Sequence, residues 1–70
     1  MKFLDLNNVQ KYFYMADKPY YKLQQFMGNI NIISGTALNT LSNEINEFYL
    51  TMNEDNSITF KINDEIKALQ

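Results

Sequence analysis

Glu44 and Glu47 stand three residues apart in a stretch whose apolar residues recur at helical spacing, so both carboxylates would project from one side of a helix. Paired carboxylates at that separation can divide the roles of general acid and general base. The rest of the chain does not complete such a site. Histidine, cysteine, arginine and tryptophan are all absent from its 70 residues, which removes the usual general base, the thiol nucleophile and the bidentate phosphate reader. Ser34-Gly35-Thr36 has no histidine partner and lacks the flanking pattern of a nucleophile elbow. Solvated glutamates on the polar side of an amphipathic helix account for the pair, and no catalytic residue is expected.

Metal chemistry is equally short of ligands. Without Cys or His there is no zinc site. Asn53, Asp55 and Ser57 alternate as in a calcium loop, with Asp64 at the twelfth position, but Ile58 replaces the sharp-turn glycine and the bidentate glutamate is missing. These residues read as a polar turn. No metal and no cofactor is expected.

Residues 11–26 interleave lysines with aromatics, a composition that can stack bases and track phosphates. Leu23-Gln24-Gln25-Phe26-Met27-Gly28 followed by Ile33-Ser34-Gly35-Thr36-Ala37-Leu38 resembles the second and third helices of small winged-helix transcriptional regulators, and that resemblance implies DNA binding by the later helix. Such a helix would carry Glu44 and Glu47 and no basic residue. With a net charge of −2, phosphate attraction would have to be local. Nucleic acid is not the expected partner, and the regulator is kept as the alternative.

A protein partner fits better. A core of Leu6, Val9, Phe13, Leu23, Phe26, Ile30, Ile32, Leu38, Leu41, Ile45, Phe48, Met52, Ile58, Phe60 and Ile62 leaves the five tyrosines over, together with Ile33 and Leu50. Tyrosine is enriched at interfaces because it combines apolar area, few rotors and a polar tip. The candidate protein-binding residues are therefore Tyr12, Tyr14, Lys18, Tyr20, Tyr21 and Lys22, where tyrosines crowd among lysines. The partner is another protein or a second copy of the chain.

These residues must be positioned by few elements. Leu38, Leu41, Ile45, Phe48 and Met52 recur at spacings of 3 and 4, which predicts one long central amphipathic helix over 36–52, capped by Ser34 or Thr36. Ile58, Phe60 and Ile62 alternate with polar residues, which predicts a strand over 57–63. Its partner is taken to be 30–33. Asp64-Glu65 then opens a short helical tail. Upstream, Asp5 caps a first helix carrying Leu6, Val9, Phe13 and Ala16, and Pro19 and Gly28 bracket a second, Tyr20 to Met27. The competing reading makes Tyr12–Met15 and Tyr20–Leu23 strands.

The expected class is α+β, one small domain over 1–70. No apolar run approaches the ~20 residues that cross a bilayer, nothing at the start resembles a signal peptide, and a chain without cysteine suits the cytoplasm. Ten asparagines, and lysine to the exclusion of arginine, read as coding bias. In composition the chain resembles the small acidic single-domain proteins of phages and other mobile elements, many of which block a host enzyme or defence nuclease. That likeness implies a non-catalytic inhibitor or modulator acting by direct binding.

Overall fold

Val9, Tyr12, Phe13 and Ala16 share one side of a helical turn, and in the computed structural model, which describes residues 8–28 and 31–69, all four are buried. They lie on α1 (Val9–Met15) and at its end. Asp17 takes a left-handed φ of 61°, and the Lys18 and Asp17 amides then donate back to the Phe13 and Tyr14 carbonyls at 2.9 and 3.0 Å. That pair of bonds is the Schellman ending of a helix, with aspartate in the position glycine usually takes. Pro19 therefore follows a helix end and opens no second helix. Asp5 and Leu6 lie outside the described residues; Asn8, at the start of α1, makes no capping bond through its side chain.

After Pro19 all the regular structure among the described residues is sheet. β1 (Tyr21–Gly28), β2 (Ile32–Asn39), β3 (Glu44–Met52), β4 (Ile58–Ile62) and β5 (Glu65–Leu69) form one antiparallel sheet in sequence order. Among the described residues the fold is thus mainly β with a single short helix, where two N-terminal helices and one long central helix were expected. Strand pairing outweighs the helix-forming chemistry of Lys22-Leu23-Gln24-Gln25, since propensity is a weak prior against tertiary context. The central stripe also has a different cause. Residues 36–52 are two strands folded at Thr40–Asn43, so Leu38 and Ile45 become cross-strand partners, Leu41 stands exposed at the hairpin tip, and Phe48 and Met52 turn to the opposite face. Alternation within β3 sets burial: Phe48 and Leu50 are fully buried, and Glu47 and Tyr49 are exposed.

The strand over 58–62 is present, but its neighbours are β3 and β5, while Ile33 pairs with Leu50 and Gly28. Ile30 lies outside the described residues. The expected helical tail is β5, joined to β4 by Asn63-Asp64 with both φ values positive (49° and 66°), the backbone that two-residue hairpins favour. Asparagine supplies most of the remaining turn geometry. Asn43 and Asn56 also sit at positive φ, and Asn39 Oδ1 accepts the Leu41 and Ser42 amides at 2.9 and 3.1 Å. Asparagine tolerates this region and bonds its own backbone. Four of the ten asparagines thus do turn work in a chain with only two glycines.

One face of the sheet is closed by α1. Phe13 meets Phe48 and Phe60 edge-on at 5.0 and 4.9 Å between ring centres, geometry favoured by the ring quadrupoles. Ile33 and Leu50, left over in the sequence reading, are fully buried, whereas Phe26, Ile32, Leu41 and Ile45 from the expected core are exposed. Gly35 sits where β1 crosses β2 closely. A Cβ there would strike the Gln25 carbonyl oxygen and lie 2.6 Å from Phe26 Cα.

Candidate protein-binding face

α1 and its C-terminal loop cover one face of the sheet as far as β5. Lys18 Nζ donates to both Glu65 carboxylate oxygens at 2.7 and 3.2 Å, and Lys67 Nζ donates to the Ala16 carbonyl and to Asp17 at 3.1 and 3.0 Å. The hydrogen bond from Lys18 holds the Glu65 carboxyl below its ordinary range, and the same bond raises Lys18. Asp55 is also held low, because its carboxylate accepts the Ser57 hydroxyl and amide. That carboxylate caps the β3–β4 turn, as the polar-turn reading requires.

The six residues expected to bind protein are not brought together on one surface. Tyr12 is buried on α1. Tyr21 is buried against Phe13, its hydroxyl donating to Asn46 Oδ1 at 3.0 Å. Tyr20 stacks on Tyr21 at 5.2 Å and is partly covered. Lys18 is paired with Glu65. Tyr14 is exposed on α1, and Lys22 is exposed in β1 opposite Leu38. The two segments that resembled winged-helix helices are the adjacent strands β1 and β2, so no recognition helix forms there. Glu44 and Glu47, an odd number of positions apart on β3, point to opposite faces.

Nothing in the described residues covers the other face of the sheet. The pairing register places Ser34, Tyr49, Lys61 and Ile66 side by side across β2 to β5, with Ile32, Thr51 and Thr59 in the next row. Thr36 and Glu47 follow on the other side, then Leu38 and Ile45. Ile32, Ile45, Tyr49 and Ile66 are 43, 59, 45 and 69% exposed. Together they present on the order of 400 Å² of apolar surface, within the about 300–600 Å² of the largest patch on an ordinary monomer. Tyr49, Thr51, Thr59, Lys61, Ile32 and Ile66 line a shallow depression on this face.

Sequence reasoning missed Tyr49, Ile66 and Lys61 as a group. Their signal was the alternation Ile45, Glu47, Tyr49, Thr51 against Asn46, Phe48, Leu50, Met52, masked by a helical stripe through the same residues. Set against known proteins, the chain matches no family model, no curated protein and no solved structure. Among the described residues no group of His, Cys, Asp and Glu could hold a metal ion, and no helix is long and apolar enough to cross a membrane.

Proposed function

We propose that the chain is a non-catalytic protein-binding module that docks through the open face of its sheet. The carrying observation is the asymmetry of that sheet: one face is covered by α1 and by the ion pairs of the loop that follows it, and the other presents Ile32, Ile45, Tyr49 and Ile66 around Lys61 and Glu47. The largest apolar patch of a monomer, at about this size, is often functional, and a central tyrosine is a favoured anchor. Lys22, from the residues singled out in the sequence, lies at the rim of this face, and Tyr14 remains exposed on α1. Blocking a host enzyme or defence nuclease, the action implied by the compositional likeness, requires only such a face. A nucleic-acid role is disfavoured by a net charge of −2 and by Glu47 two residues from Tyr49, the one exposed aromatic of the central rows.

A photo-crosslinking residue in place of Tyr49 tests this reading. It should form adducts with protein in the expressing cell, and the same probe in place of Glu54, on the distant β3–β4 turn, should form none. Equal labelling from both positions, or none from Tyr49, would overturn it.

A further inference from the structure

We infer that the occupant of the open face is a second copy of this chain, the two sheets packed face to face with their strands crossed near a right angle. This rests on the protein-binding reading of the same face and names its partner. The argument is the pattern of side chains fixed by the register. Lys61 is the cross-strand neighbour of Tyr49 on β4, and Glu47 is its same-face neighbour on β3. Ile66 lies beyond Lys61 in the same row, and Ile45 lies beyond Glu47 along the same strand.

The face therefore has two arms leading from Tyr49, each a charge followed by an isoleucine, and the charges are opposite. A two-fold axis lying in the interface through Ile32 and Tyr49 exchanges the arms. Lys61 of one copy then meets Glu47 of the other, Ile66 meets Ile45, and Tyr49 meets Tyr49. Thr59 falls on Thr36 and Thr51 on Ser34, so polar positions also meet polar positions. Neighbouring strands stand about 4.8 Å apart and same-face residues of one strand about 6.8 Å apart. The arms thus mismatch by about 2 Å at the charges and about 4 Å at the isoleucines, within the reach of these side chains.

Exchanging a row with a strand crosses the two sheets orthogonally, one of the two preferred modes of sheet-on-sheet packing. Self-complementarity about a two-fold is what an isologous dimer requires. Among the described residues Glu47 and Lys61 make no ion pair, whereas Lys18, Glu65, Lys67 and Asp17 on the covered side are all paired. The apolar patch of about 400 Å² is half of the about 800 Å² that each partner of a standard interface buries, and an interface is a little over half apolar. Any other protein using this face must displace the second copy.

Sedimentation equilibrium on the full chain tests the proposal, with circular dichroism to confirm that each variant folds. The chain should sediment at twice its own mass. Tyr49→Glu and Ile66→Lys should each raise the dimer dissociation constant about thirtyfold or more. Glu47→Lys and Lys61→Glu should each be monomeric at concentrations where the native chain is dimeric. Mixing these two variants should form a one-to-one heterodimer, because both cross-copy contacts then join opposite charges. A charge pair within one copy could not produce that result. A monomeric native chain, or a mixture of the two variants that stays monomeric, would overturn the proposal. If the native chain is monomeric while the crosslinker at Tyr49 captures a different protein, the dimer is wrong and the binding face stands; if that crosslinker captures nothing, both readings fall.

Discussion

Phe60 and Leu41 show how far residue-level consequences depend on the strand fold. Phe60 is fully buried and packs edge-on against Phe13, so Phe60→Ala should lower stability by about 3–5 kcal/mol in a urea melt. Leu41 is 78% exposed at the tip of the β2–β3 hairpin, and Leu41→Ala should stay within about 0.5 kcal/mol of the native chain. A large loss at Leu41 would revive the helical stripe. Gly35 is the third sensitive position. Its Cβ would meet backbone atoms of Gln25 and Phe26, which cannot rotate away as a side chain can. Gly35→Ala should therefore cost at least the roughly 1–3 kcal/mol of ordinary overpacking; an unchanged melt would place β1 elsewhere.

At the scale of elements, asparagine and aspartate stand where glycine is the usual turn residue. Asp64 occupies the second position of the β4–β5 turn at a φ of 66°, a conformation that disfavours residues with a Cβ. Asp64→Gly turns the loop into the Asn-Gly pair most favoured in two-residue hairpins, and should raise stability by roughly 0.5–1 kcal/mol. Asp64→Val should do the opposite. Thermal melts of the two variants that move in the same direction would contradict the turn geometry. The strand over 58–62 and the helical positions of Val9, Phe13 and Ala16 were legible because each has one unambiguous period. Residues 36–52 were not, because Leu38, Leu41, Ile45, Phe48 and Met52 satisfy period 3.6 while Phe48, Leu50 and Met52 satisfy period 2. The deciding clues were polar: Asn39 bonding the loop amides and Asn43 in the left-handed region. In the sequence those asparagines lay hidden among ten.

For the molecule as a whole, the ion pair between Lys18 and Glu65 ties the end of α1 to the last strand across 47 positions of sequence. Glu65 is held below its ordinary 4.5 by Lys18, so its contribution is complete above pH about 4.5 and disappears as pH falls through its lower folded value. Lys18 is raised above its ordinary 10.5 by Glu65, so its contribution is complete below pH about 10.5 and fades as pH rises through the higher folded value. Asp55, lowered by Ser57 from 3.8, steepens the acid side only. Stability should thus be flat across the neutral range and fall on acidification below pH about 4.5, with Glu65→Gln giving a shallower acid limb. An acid limb of equal steepness in Glu65→Gln would remove Glu65 from the account.

The amino-acid sequence by itself determined the chemistry open to this chain: carboxylates, lysines and tyrosines, with no histidine or cysteine among them. It also determined which short segments must bury one face, because hydrophobic periodicity is a local property. Tertiary structure alone decided which tyrosines are anchors of the core and which remain outside. Tyr12 and Tyr21 enter the core around Phe13, while Tyr49 is left on the open face by one step of strand alternation from Phe48. It alone also set Lys61 and Ile66 beside Tyr49, and Glu65 against Lys18. Those neighbours come from separate strands or from opposite ends of the chain, and only the register of the folded sheet brings them together.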